Sequence, residues 1–508
     1  MIPLPSVDLP LWALLDHQAR VRPDAVAVHF EGRAFTYARL ARRVARASAR
    51  LAHEWGVSAG DRVAYLGFNH VDALSLLFAL SRLGAVWVPL NMRLAPAEWL
   101  GILTDSSPVC LVAGPGWASQ AQELGEQTRR PVHALDTLIA HHAPGEAPQW
   151  SRQDTPVLLV YTSGTTGLPK AAVHTQRNLM QNMAISLVVH QMHAMDVIAS
   201  VLPLFHVGGL CIQTLPALYA GATVVLEPRF DADRFWTVMR EHRPTLTLQV
   251  PATLQALVHH AAWAQAPLES LRAVWAGSSV LAPEVLAPFH TRGIPVCNVY
   301  GATETGPVSL ALGPEQAMDL AGSSGWPVPE VEVHLAPVSD DEPGVGELWV
   351  RGPNVVARYW PDRPAVDADG WFHTGDLARR SPHGDYTVIG RLKDMVISGG
   401  ENIYPAEVER VLVQYPDVLE CVAVGLPDAQ WGEVLTAVCV PRPGACLDAD
   451  QLDAWLATHL ARYKCPRHYA WVGSLPKTAL GKVQRQVLRE SLATQPLRTP
   501  TRQRRKAS

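Results

Sequence analysis

Between about residues 25 and 390, short runs rich in β-branched and aromatic residues alternate with apolar or amphipathic stretches of helical length. The clearest runs are "RVAYLGF", "AVWVPL", "VLLVYT", "ATVVLEP", "TLTLQV", "RAVWAG" and "PVCNVYG". Strand–helix alternation of this kind builds α/β architecture, in which parallel strands are covered by helices and ligands collect at the strands' carboxyl ends. Three polar loops, "YTSGTTG", "AGSSV" and "VYGATETG", each follow such a strand. A chain folded this way brings all three to one edge. The expected fold class is therefore α/β, with a large N-terminal domain (residues 1–392) of mostly parallel sheets flanked by helices.

After about residue 390 the texture changes. "KDMVISGGENIYP" is a glycine loop, and Pro405 then opens a helix with Val408, Val411 and Leu412 on one face. Strands "ECVAVGL" and "LTAVCV", a helix from about Asp450, and the segments "ARYKCPR" and "PKTALGKVQR" follow. This predicts a small α+β domain, residues 393–508, with its boundary in "GRLKDMV". From about residue 495 the chain is a basic, Pro/Ser/Thr-rich tail, expected to be solvated and frayed.

A chain of 508 residues exceeds one ordinary core, in keeping with two domains. Lys+Arg 43 against Asp+Glu 47 leaves a net charge of −4, too balanced for a nucleic-acid partner. The seven cysteines show neither CxxC pairs nor zinc spacing, which predicts reduced thiols and a cytoplasmic setting. The most apolar stretch, "ALSLLFALSRLGAVWVPL", carries Arg82 and a central glycine, so it predicts a buried helix followed by a strand and no transmembrane segment. A homodimer is compatible with the sequence.

The ten residues "YTSGTTGLPK", Tyr161 to Lys170, concentrate hydroxyls and glycines at the end of a strand, a setting in which backbone N–H groups and hydroxyls surround a phosphate. They are not a Walker A loop: Pro169 precedes Lys170, and Ala171 stands where Ser or Thr is required. A plain surface turn needs one or two glycines, not this density of donors.

The segment closely resembles the phosphate loop of adenylate-forming enzymes: the acyl-CoA synthetases, luciferases and peptide-synthetase adenylation domains. Further signatures of that superfamily follow in order: "PLFHVGGL", "YGATETG", "GWFHTGDLA", "GRLKDMVISGGENIYPAEVE" and "PKTALGKVQR". They span about 160–485. The resemblance implies ATP, Mg²⁺ and coenzyme A as cofactors and a small-molecule carboxylic acid as substrate. It also implies a small C-terminal domain that is mobile.

By that resemblance Thr162, Ser163, Gly164, Thr165, Thr166 and Gly167 hold the β- and γ-phosphates, and Lys170 adds a point charge. Thr303 resembles the donor to the α-phosphate and Glu304 the Mg²⁺ ligand, within the loop that begins at Gly301. A single carboxylate with waters and phosphate oxygens suits magnesium. Asp376 resembles the carboxylate that bridges the ribose hydroxyls, with Arg391 as a second ribose contact; Asp385 and Asp394 are alternatives that fit turns better. Gly277, Ser278, Ser279, Asn298 and Tyr300 resemble the segments around the adenine. His206 stands where the family carries an aromatic residue or histidine at the mouth of the acid pocket, and a gating role is expected.

Lys482 resembles the lysine that bridges carboxylate and α-phosphate, although Leu480 stands where Thr is usual. Gly399 and Gly400 resemble the pantetheine loop, and Lys393 the hinge between the domains. The expected acid pocket (Val207, Gly208, Trp275, Val280, Pro307 and Val308) is apolar and holds no cation for a second carboxylate. A medium- or long-chain fatty acid and an aromatic acid of benzoate or phenylpropenoate type both fit. Leu204 to Gly209 lacks the acidic residue expected for amino-acid activation, and no carrier module is present. An acid–CoA ligase is therefore expected ahead of a free-standing enzyme that loads a carrier protein.

Overall fold

The computed structural model describes residues 4–139, 148–162, 169–277, 281, 283–339, 342–398, 401–428, 430–477, 483–492 and 497–500. The chain separates into two compact units. The first comprises residues 1–334, 349–373 and 384–386; the second comprises 335–348, 374–383 and 387–508.

The first unit is α/β, and two sheets dominate it. In one, Val296–Tyr300, Ala273–Gly277, Leu246–Gln249, Val197–Ser200, Thr223–Leu226 and Val26–Phe30 run parallel in that order. Antiparallel strands close both edges. In the other, Pro156–Thr162, Val86–Leu90, Arg62–Leu66, Cys110–Ala113 and Val132–Ala134 are parallel. Lys170–Thr175, Arg358–Tyr359 and Arg363–Pro364 extend this sheet antiparallel. All seven strand runs singled out in this part of the sequence are strands.

Local sequence explains the central pieces. "VDALSLLFALSRL" is a helix, Val71–Leu83, that is almost wholly buried. The His70 side chain accepts from Asp72 N at its start, and Gly84, at φ 68°, ends it in the left-handed conformation that glycine adopts without strain. The strand Val86–Leu90 that follows is buried at every position, as a parallel strand covered on both faces must be. The apolar run near residue 80 is thus core. No helix among the described residues is long and apolar enough to cross a membrane.

The second unit is built around Gly432–Pro441, which pairs antiparallel with Val418–Asp428 and parallel with His468–Trp471. The helix Pro405–Leu412 buries Val408 and Leu412, with Val411 half-buried beside them. They pack with Leu435, Ala437, Leu452, Leu456 and Tyr469. Each such fully buried aliphatic side chain contributes roughly 1.5–3 kcal/mol of transfer free energy. A four-stranded sheet (Glu332–Pro337, Val345–Arg351, Phe372–Arg380, Tyr386–Arg391) carries the "FHTGDL" segment.

Candidate active site

The strand Pro156–Thr162 is buried from Val157 to Val160 and pairs with Lys170–Thr175, Thr162 opposite Lys170. The two ends of "YTSGTTGLPK" are therefore held together, and Thr162 Oγ1 donates to the Lys170 carbonyl at 3.3 Å. Ser163, Gly164, Thr165, Thr166 and Gly167 lie outside the described residues. The Lys170 ammonium stands over the Tyr359 ring, 5.6 Å from its centroid. The Tyr359 hydroxyl donates to Glu304 Oε1 at 2.9 Å. Burial first, and then the Glu304 charge, raise the Tyr359 phenol well above its ordinary range, so it remains a donor.

Tyr359 escaped the sequence reading. It occupies a two-residue strand in "VARYWPDRP", outside any motif, and only its pairing with Ala172 brings it beside Lys170.

The loop after Val296–Tyr300 is tightly constrained. A Cβ on Gly301 would stand 1.7 Å from the Pro307 carbonyl oxygen, so only glycine fits there. Thr303–Thr305 forms a single 3₁₀ turn in which Thr305 Oγ1 accepts from Ala302 N at 2.9 Å. Asn354 Nδ2 donates to the Thr305 and Val308 carbonyls, and Val356 N donates to the Glu304 carbonyl. The backbone of Glu304 is thereby fixed while its side chain stays half-buried. Thr303 is buried. Ser309 N donates to the Tyr300 carbonyl, and Asn298 spends an amide N–H on the Ser323 carbonyl at 2.9 Å. A Cβ on Gly277 would meet the Val299 carbonyl at 2.4 Å. Ser278, Ser279 and Val280 lie outside the described residues.

Of the expected acid-pocket residues, Val207, Pro307 and Val308 are buried, and Gly208 opens a π-helical turn, Gly208–Thr214. His206 Nδ1 accepts from Gly208 N at 3.0 Å, which leaves Nε2 to carry the proton of the neutral ring. Trp275 is 1% exposed, with its ring centroid 4.2 Å from that of His190.

In the second unit Asp376 Oδ1 and Arg391 Nε are 2.5 Å apart, and Asp376 N donates to Thr374 Oγ1 at 3.0 Å. The two residues that the sequence suggested for ribose are thus adjacent. Asp394 faces Arg485 and Arg489 at 3.8 and 4.0 Å, and Asp385, in the first unit, accepts from Ser323 Oγ at 2.6 Å. Both alternatives to Asp376 are, like Asp376, engaged by side chains of other segments. Lys393 lies in the 3₁₀ turn Leu392–Asp394. Gly399, Gly400 and Lys482 lie outside the described residues.

No group of three His, Cys, Asp or Glu side chains among the described residues gathers as a metal cage. One engaged carboxylate, Glu304, suits an ion that takes most of its ligands from water and phosphate.

A family model described as AMP-binding enzyme matches residues 15–360, and one described as AMP-binding enzyme C-terminal domain matches 407–482. The indoleacetate–CoA ligase of Aromatoleum aromaticum is 42% identical over 505 residues, covering 94% of this chain and 97% of that protein. The feruloyl-CoA synthase of an Amycolatopsis species is 42% identical over 475 residues, covering 92% and 96%. The crystal structure of ATP-bound MatB from Rhodopseudomonas palustris superposes with a TM-score of 0.87 at 29% identity, covering 96% of this chain and 99% of that one. The chain belongs to the AMP-binding enzyme family, among its AMP-forming acid–CoA ligases.

Proposed function

We propose that the acid is aromatic, that Mg²⁺ accompanies ATP, and that the residues above divide the work as follows. An AMP-forming ligase joins a carboxylate to the α-phosphate of ATP, expels pyrophosphate, and then exchanges AMP for the thiol of coenzyme A. The first step brings two anions together, so its catalysis is largely placement of positive charge and donors.

Lys170 supplies a fixed cation beside the phosphate loop, and the π-face of Tyr359 orients its ammonium. Tyr359 holds one oxygen of Glu304, which aims the other. A Mg²⁺ ion bound there would offset charge on the phosphate oxygens. Thr303 donates to the α-phosphate. Asp376, held by Arg391, accepts from the ribose hydroxyls. His206 does no base chemistry, because an ionised carboxylate has no proton to give; it gates the acid. Lys482 bridges carboxylate and α-phosphate, and Gly399 and Gly400 leave room for pantetheine. The hinge is assigned to Lys393, and the seven free cysteines support a cytoplasmic setting.

The observation that carries the aromatic assignment is that two relatives 42% identical over more than nine-tenths of this chain are named for acids bearing an aromatic ring. The long-chain fatty acid ligase of Mycobacterium tuberculosis is 32% identical over 86%. Pyrophosphate release measured across arylacetates, phenylpropenoates and saturated fatty acids tests the assignment. The highest kcat/KM is expected for an aromatic acid, and a fatty acid in first place would overturn it.

A further inference from the structure

The helix Gln176–Val189 is buried on nearly all sides, yet it places Asn182, Ser186 and its C-cap His190 four residues apart, on one face. All three are at most 1% exposed. Asn182 Nδ2 donates to the Cys211 carbonyl at 2.7 Å, so this face lies against the π-helical turn Gly208–Thr214. The His190 ring meets that of Trp275 in a tilted contact, centroids 4.2 Å apart, so the face reaches the strand Ala273–Gly277 as well. Gln213 of the π-helical turn is 3% exposed.

What these five residues share is unmet hydrogen-bonding capacity. Asn182 Oδ1, Ser186 Oγ, His190 Nε2, Gln213 Nε2 and Oε1, and Trp275 Nε1 are buried, and none has a protein partner among the described residues. Nearly all buried polar side-chain atoms in folded proteins have a partner, and each one left without costs about 1–3 kcal/mol. So many orphans at the junction of a helix, a turn and a strand point to a polar ligand group that satisfies them.

The chemistry of that group follows from the donors and acceptors. His190 Nδ1 lies 2.7 Å from the Ser186 carbonyl, which can only accept, so Nδ1 carries the proton and Nε2 is an acceptor. Burial holds the ring neutral, its pKa lowered to about 4. Trp275 Nε1 and Gln213 Nε2 donate, Asn182 Oδ1 accepts, and Ser186 Oγ does either. None of the five carries a charge to pair with a second carboxylate. A hydroxyl or a ring N–H, able to donate and in the first case also to accept, suits them.

We infer that Asn182, Ser186, His190, Gln213 and the Trp275 indole N–H form a hydrogen-bonding terminus for the acid. The ligase would then select acids that carry an uncharged hydroxyl or N–H group on the aromatic ring. Trp275 stands two residues before Gly277, roughly 7 Å along the strand from the glycine-serine loop, about the reach of one aromatic ring. The inference rests on the ligase assignment above and narrows its substrate.

The test compares pairs of acids of equal outline: 4-hydroxyphenylpropenoate with 4-methylphenylpropenoate, and indole-3-acetate with naphthalene-1-acetate. Pyrophosphate release and thioester formation are measured for the natural protein and for Ser186→Ala and Gln213→Leu. The natural protein should favour the polar member of at least one pair by roughly 10- to 100-fold in kcat/KM, because the hydrocarbon leaves buried groups unpaired. Each substitution should shrink that ratio severalfold, and Ser186→Thr should restore more of it than Ser186→Ala retains.

Ratios within twofold of unity in the natural protein would overturn the inference while leaving the ligase assignment intact, since thioester still forms. A large ratio that both variants preserve would also overturn it, by placing the discrimination elsewhere. Pyrophosphate release with no member of either pair, alongside turnover of a fatty acid, would overturn this inference together with the aromatic assignment.

Discussion

The first unit holds two polar regions that solve opposite problems. Around Glu304 the charged groups are half-buried and each has a partner: Lys170 over the ring of Tyr359, Tyr359 on Glu304, and the Glu304 carbonyl on Val356 N. Between the Gln176–Val189 helix and Trp275 the groups are neutral and buried, and six of their side-chain atoms have no partner among the described residues. Under the proposed assignment, a highly charged substrate would meet charges that water and neighbours keep solvated until it arrives. A neutral substrate group can be met by dry dipoles, because desolvating an amide or hydroxyl costs a few kcal/mol where a bare charge would cost far more.

Several variants break this contrast. Lys482→Ala should cost the most, lowering adenylate formation by about 10²–10³ while preformed acyl-adenylate still yields thioester with CoA at near the usual speed. Single-turnover measurement of the two half-reactions checks this, and equal slowing of both would make Lys482 a structural residue. Glu304→Gln keeps the shape and removes the charge. It should slow pyrophosphate release by about 10² and raise the Mg²⁺ concentration needed for half-maximal rate.

Tyr359→Phe removes one hydrogen bond to a carboxylate, worth about 1.5–3 kcal/mol, and should cost about tenfold in the same assay. No change in the Mg²⁺ titration of Tyr359→Phe would show that the tyrosine does not position Glu304.

The dry region makes a pH prediction. Burial lowers the pKa of His190 to about 4 against the opposing hydrogen bond to Ser186, and burial alone does the same for His174, a fully buried residue of the strand Lys170–Thr175 outside that region. A histidine whose pKa is depressed on folding stabilises the fold fully above its unfolded value near 6.5, and that stability fades as pH falls towards the folded value. Denaturant midpoints should therefore fall between pH 6.5 and 4, each histidine contributing on the order of 3 kcal/mol across the window. The double variant His174→Gln/His190→Gln should flatten the profile in that window, and an unaltered slope would contradict the assignment.

The two regions also differ in how far the sequence revealed them. "YTSGTTGLPK" and "YGATETG" announce themselves because an anion needs many small donors close together in the chain. Thr303, Glu304, Asp376 and Arg391 were singled out by resemblance to family segments, and the structure sets Asp376 beside Arg391; the strand runs followed from their composition. Tyr359 did not, because a short antiparallel pairing carries it to Lys170 across nearly two hundred residues. The buried stripe was hidden for another reason. Asn182, Ser186 and His190 recur at helical spacing within "NLMQNMAISLVVH", a pattern that ordinarily marks a solvent face, and the apolar pocket expected from Val207, Gly208, Trp275, Val280, Pro307 and Val308 did not include them. Only the packing of that helix against the π-helical turn and Trp275 turns the stripe inward.

The central claim is that this chain activates an aromatic acid through an adenylate and hands it to coenzyme A. Its most direct test is a stoichiometric count in one reaction that contains the protein, ATP, Mg²⁺, coenzyme A and 4-hydroxyphenylpropenoate or indole-3-acetate. The account predicts AMP, pyrophosphate and acyl-CoA in equal amounts, with acyl-adenylate accumulating when coenzyme A is withheld; ADP and orthophosphate in place of AMP and pyrophosphate would contradict it.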